Sequence, residues 1–166
     1  MSRVAMYIVL AAASAACSLA APDLEAPALD GAEFAFRTEG AVDEVVRGAC
    51  LGSWNADRGE FSLWLMPADT LAVEAARLTL RSTTPFEPAM YEATALRASM
   101  PANGVTGWLS LALPFTSQSF TLQTSRGQLE VRAASATALQ ATLDVYFEEQ
   151  NSTVRIVGQV ACGLGF

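Results

Sequence analysis

The chain has 166 residues, 52% of them apolar, with seventeen acidic against ten basic side chains and a formal net charge of −7. Every basic residue is an arginine; with no lysine and no histidine, imidazole relays, histidine metal ligands, Schiff bases and P-loop lysines are excluded. An acidic surface repels phosphate backbones, so no nucleic-acid partner is expected, and the enzyme classes left open are carboxylate-dependent or calcium-dependent hydrolases.

The first element is a secretion signal over residues 1–16. Arg3 supplies a positive start, and Val4 to Ala16 is an apolar or small run broken only by Ser14. That run falls short of the roughly 20 residues needed to cross a bilayer, which suits a cleaved segment rather than a retained anchor. Ala15-Ala16-Cys17 reads as the end of a bacterial lipobox, with Ser14 where a leucine is usual. Ser18-Leu19-Ala20 before Ala21, or Ala13-Ser14-Ala15 before Ala16, would suit a general signal peptidase instead and release the chain. Cysteine parity favours the lipoprotein reading. Acylating Cys17 removes one of three cysteines and leaves Cys50 and Cys162 to pair in an oxidising compartment.

Residues 17–32 follow as a lipidated N-terminus and a flexible tether, rich in Ala and Pro and carrying Asp23, Glu25 and Asp30. Residues 33–166 form one domain, long enough for a proper core. Its hydropathy alternates with period two in successive runs. These are Phe61 to Leu65, Leu78 to Leu80, Leu109 to Leu113, Phe120 to Leu122, Leu129 to Val131, Leu139 to Phe147, and Val154 to Cys162. Each run buries one face. Ala56-Asp57-Arg58-Gly59, Ser125-Arg126-Gly127 and Gln150-Asn151-Ser152 are read as hairpin turns, and Pro85, Pro88 and Pro101 interrupt the middle. Thr70 to Ala76 also admits a short helical turn. The pattern predicts an all-β fold, a single antiparallel β-sandwich of about 8–9 strands. Cys50 and Cys162 fall in phase with inward positions, so a bridge would join an early strand to the last one.

Few side chains suggest chemistry. Trp64 and Trp108 are out of phase with the leucines beside them and are expected on an outer face, as a binding surface or beneath a covering loop. Trp54 shares the phase of Cys50 and is expected in the core. Asn55 to Gly59 has the outline of a calcium loop, but Met66 stands where the closing carboxylate belongs, so no metal site is assigned. Asp144 and Arg155 are expected to meet across a strand pair, contributing about 0.2–1 kcal/mol. Asn151-Ser152-Thr153 matches a glycosylation sequon, which a bacterial signal peptide would make irrelevant. No catalytic residues and no cofactor are assigned.

The alternation of Ile156, Gly158, Val160, Cys162 and Leu164 up to a terminal Phe166 also resembles the last strand of an outer-membrane barrel. An eight-stranded barrel is therefore one alternative, and a carboxylate-dependent hydrolase, for instance on glycans, is another. Gly40 to Cys50, then Gly59-Glu60-Phe61-Ser62-Leu63-Trp64-Leu65, Gly127-Gln128-Leu129-Glu130-Val131 and Val154 to Val160 form a series of glycine-spaced β segments. With these, the stretch from Glu33 to Gly163 resembles bacterial cell-envelope lipoproteins of unknown function with a β-sandwich domain. Val160 departs from the aromatic usual in their closing hairpin. The resemblance implies a lipidated sandwich and brings no activity. The chain is accordingly expected to be a non-catalytic binding or structural module in a bacterial envelope, on the outer membrane facing periplasm or surface, or else soluble in the periplasm or secreted. Its expected partners are the membrane, through its lipid, and an envelope protein or glycan.

Overall fold

The computed structural model describes residues 25–55, 59–68, 75–82, 86–95, 100–112, 119–135 and 137–165. Cys17 and the signal lie outside them. Nine strands, and no helix among the described residues, follow in order: β1 (Phe34–Gly40), β2 (Val45–Asn55), β3 (Glu60–Pro67), β4 (Ala75–Ser82), β5 (Ala89–Thr94), β6 (Gly104–Ala112), β7 (Ser119–Ala134), β8 (Ala138–Glu149) and β9 (Ser152–Leu164). The all-β expectation holds, and the burial pattern shows why. In β8, Leu139, Ala141, Leu143, Val145 and Phe147 are all buried, while the residues between them face outward.

The arrangement differs from the expected sandwich. The strands make one sheet that closes on itself in the order β1-β2-β3-β4-β6-β5-β7-β8-β9, and two of its pairings, β2 with β9 and β5 with β6, are parallel. Period-two hydropathy reports that one face of each strand is buried. It does not distinguish burial against a second sheet from burial against the far side of the same sheet. One core of inward side chains, including Phe34, Phe61, Leu63, Leu109 and Phe147, fills the barrel. A small apolar cavity of about 30 Å³, bounded by Val42 and Pro67 among others, remains at one end. That is about one water in size and too small for a ligand.

Nine strands close the barrel, and at each end one of them drops out of the ring to leave eight. β1 separates β2 from β9 at one end of the barrel, and where it stops at Phe34 those two pair directly, Leu51 with Gly163 and Gly52 with Leu164. At the opposite end β6 and β7 pair directly from Ala112/Ser119 to Trp108/Gln123, then part to admit β5. Eight strands is the girth that side chains alone can fill.

Each fork strips backbone groups of their ladder partners, and a side chain replaces them. At the first, Glu33 donates its amide to the Gly48 carbonyl at 2.9 Å and accepts the Ala161 amide on its own carbonyl at 2.7 Å. Its carboxylate accepts the Cys50 amide, also at 2.7 Å. The Cys50–Cys162 disulfide joins β2 to β9 at the same place, with Cα atoms 5.6 Å apart and 112 residues between them in sequence. Both cysteines face the core, as their phase predicts. At the second fork the buried Thr124 hydroxyl accepts the Gly107 amide at 3.0 Å, donates to the Thr94 carbonyl at 2.7 Å and meets the Thr106 hydroxyl at 3.0 Å.

Residues 26–30, which composition assigns to the tether, lie against the barrel as a strap. Arg47, Ala35 and Gln159 form one outward row across β2, β1 and β9. Gln159 donates to the Pro27 carbonyl at 3.2 Å, Arg47 to the Ala28 carbonyl at 3.3 Å, and Arg47 pairs with Asp30 at 3.8 Å. Between those two holds, Ala35 has no exposed surface although it points outward.

Two local readings change. Ser125-Arg126-Gly127 is not a hairpin: β7 runs unbroken over sixteen residues and carries a bulge between Thr124 and Arg126. Gly127, at φ 132°, lies just past the bulged Ser125, where a Cβ would collide with the Asp144 carbonyl of β8. β5 was hidden by its flanking prolines. The expected turn at 150–152 joins a hairpin, with Glu149 opposite Ser152; β2 and β3 also pair antiparallel, with Asn55 opposite Glu60, and residues 56–58 between them lie outside the described residues. Residues 70–74 and Phe166 lie outside the described residues.

Candidate functional site

Two regions of the outer wall carry side chains able to bind something. The first spans β2, β3, β4 and β6. Registers place Leu51, Trp64, Arg77 and Ser110 in one outward row, with Ser62, Thr79 and Trp108 in the next. Trp64 and Trp108 thus share a wall, offset by two strands and two residues, about 12 Å apart at the backbone by ordinary sheet spacings. Trp64 is 41% exposed, and Leu51 and Met66 beside it are 54% and 51% exposed. Trp108 is half-buried. The Arg77 guanidinium lies 4.8 Å from the Trp64 ring centre and donates to the Ser62 hydroxyl at 3.2 Å. Trp54 packs on Phe61 at a centroid distance of 4.4 Å, at the edge of the core, as its phase predicts.

The second region is a groove of about 510 Å³ over β5, β7 and β8. Glu92, Gln128 and Asp144 make one outward row across it, and Thr94, Arg126 and Tyr146 the next. Its rim is the turn before β6, where Asn103 accepts the Glu92 amide on its carbonyl at 3.0 Å and donates its side-chain amide to the Met90 carbonyl at 3.5 Å. The bulge in β7 sets Arg126 outward, its guanidinium 4.3 Å from the Tyr146 ring centre. None of these residues except Asp144 has a sequence pattern that singles it out. Arg126 in particular is disguised as a turn residue.

Asp144 and Arg155 do meet, but more closely than an exposed cross-strand pair. Two nitrogens of Arg155 donate to the two Asp144 oxygens at 2.9 and 3.0 Å, Glu39 stands at 3.6 Å, and the Tyr146 ring centre at 5.2 Å. The Arg155 side chain is only 9% exposed. The hydrogen bonds it donates to Asp144 hold the guanidinium above its usual pKa, against the opposing effect of burial. Arg155 therefore stays charged at any physiological pH.

Among the described residues no three His, Cys, Asp or Glu side chains gather as metal ligands would. The chain matches no family model, no curated protein and no solved structure.

Proposed function

We propose that this protein is a lipid-anchored, non-catalytic binding or structural module of the bacterial cell envelope, held by Cys17 and presenting an acidic all-β domain to an envelope protein or glycan. The observation that carries the binding role is the outer wall of β2, β3, β4 and β6. There Leu51, Trp64 and Met66 stay exposed side by side although the barrel interior is otherwise filled with apolar side chains. A contiguous apolar cluster beside polar groups is how a sheet face meets a partner. The finer reading as a two-sheet sandwich gives way here to a closed barrel filled by its own side chains.

The two alternatives draw less support. A membrane-crossing barrel turns an apolar belt outward. This one sets Arg37 of β1, Arg47 of β2 and Arg77 and Arg81 of β4 on outward positions and most of its leucines inward. A carboxylate hydrolase needs two carboxyl groups at liberty to exchange protons. In the groove Glu92 and Asp144 are separated by β7, and both Asp144 oxygens are held by Arg155.

Intact mass of the protein taken from the membrane fraction of a bacterial host tests the anchor. A mass starting at Cys17 plus lipid, rising by two hydrogens on reduction, is the expected result. An unlipidated chain starting after Ala15 or Ala20 overturns the anchor and makes the domain a released one.

A further inference from the structure

We propose that the groove over β5, β7 and β8 is a binding site for the termini of a short zwitterionic peptide, its carboxylate on Arg126 and its ammonium on Glu92. This site lies on a different wall from the Trp64 surface and does not depend on the anchor. Three observations carry it.

The first is an uncommitted pair of opposite charges. Arg126 and Glu92 are diagonal neighbours across the β5–β7 pairing, Arg126 opposite Thr94 and Glu92 opposite Gln128. Long side chains at that spacing are within reach of each other. They form no ion pair; among the described residues neither has any charged partner. Arg126 instead lies over Tyr146 on the opposite side of β7, which draws its charge away from Glu92 while both residues line the open groove.

The second is pre-organisation. Contact with the Tyr146 ring holds the guanidinium in place, among the described residues its nitrogens make no hydrogen bond or ion pair, and a guanidinium edge matches a carboxylate with two parallel hydrogen bonds. Tyr146 is itself flanked by Arg155, which Asp144 and Glu39 hold in place.

The third is what the groove rejects. The arginines at the Tyr146 ring leave it poorly placed to stack on a sugar. At Glu92 and Ala93, β5 is paired with both β6 and β7, so a strand added to the sheet cannot account for binding at that point. A polyanion would meet Glu92 and Asp144. A ligand with one charge of each sign satisfies both walls, while the Gln128 and Asn103 amides can serve its peptide group and the half-exposed Met90 an apolar side chain. The volume suits two or three residues.

Triglycine is the probe, titrated into the full chain in detergent and followed by backbone amide NMR shifts. Saturable shifts confined to Glu92, Gly127, Gln128 and Tyr146 are expected. Arg126→Gln and Glu92→Gln, both at exposed side chains, should each weaken binding about tenfold or more, with the amide spectrum of the core unchanged. C-amidated and N-acetylated triglycine should lose affinity to a similar extent. Absence of saturable groove shifts overturns the proposal. So does equal binding of the capped peptides, or acetate binding as tightly as triglycine, which would leave a simple anion site.

Discussion

The carboxylate of Glu33 accepts the amide hydrogen of Cys50 at 2.7 Å, just before β1 begins, where β2 must turn to meet β9. A side chain here completes a backbone ladder. Glu33→Ala leaves the Cys50 amide without its acceptor and should cost about 1–3 kcal/mol in a urea unfolding curve. Glu33→Gln keeps an oxygen in place and should lose less than half of that. Equal losses for the two variants would show that the charge, not the acceptor, is what matters.

The disulfide rivets the same fork covalently. Replacing Cys50 and Cys162 together by Ala should lower stability by about 4–5 kcal/mol on the chain-entropy account of a loop this long. Reduction of the unmodified protein should reproduce most of the loss. A difference below about 1 kcal/mol would mean that Glu33 and the core close the barrel unaided.

Thr124 makes the matching test at the other fork. Thr124→Val keeps the shape but removes an oxygen engaged by Gly107, Thr94 and Thr106, and should cost about 2–3 kcal/mol. The buried hydroxyl of Thr142 on neighbouring β8 has no hydrogen-bond partner among the described residues, so Thr142→Val should be neutral or slightly stabilising. Paired thermal melts decide the point; similar shifts for both variants would deny the fork its special role.

How legible this was in the sequence varies by residue. The inward phase of Cys50 and Cys162, the outward phase of Trp64 and Trp108 and the hairpin at 150–152 follow from alternation and turn chemistry, which are local. Closure is not local: β2 meets β9 across more than a hundred residues, and no residue pattern encodes whether a buried face looks at another sheet. Gly127 misled because a glycine suits a tight turn, and here it instead lets β7 pass close to the backbone of β8. Arg126 and Tyr146 become a pair only once that bulge sets their register.

Asp144 bears on the groove and on stability together. Asp144→Asn deprives the buried Arg155 of its bidentate partner. A fully buried pair broken on one side loses about 3–5 kcal/mol. Asp144 is 47% exposed and Glu39 remains nearby, so about 1–2 kcal/mol is expected. Arg155→Met, which removes the charge and keeps the stem, should cost less than Asp144→Asn. The reverse order in a denaturation series would mean that Arg155 is held by packing on Tyr146 rather than by its carboxylates.

Ala35 explains how residues 26–30 come to lie flat. Its side chain points outward beneath the strap, between Arg47 and Gln159, which grip the Ala28 and Pro27 carbonyls. Only a small side chain fits at that position without lifting the strap. Ala35→Leu should break both holds, cost about 1–2 kcal/mol, and make the backbone at 26–30 a preferred site of proteolytic cutting. Gln159→Ala removes one hold and should accelerate cutting less. Limited proteolysis read by mass spectrometry checks both. If Ala35→Leu is cut no faster than the unmodified protein, the strap is held by contacts other than these two hydrogen bonds.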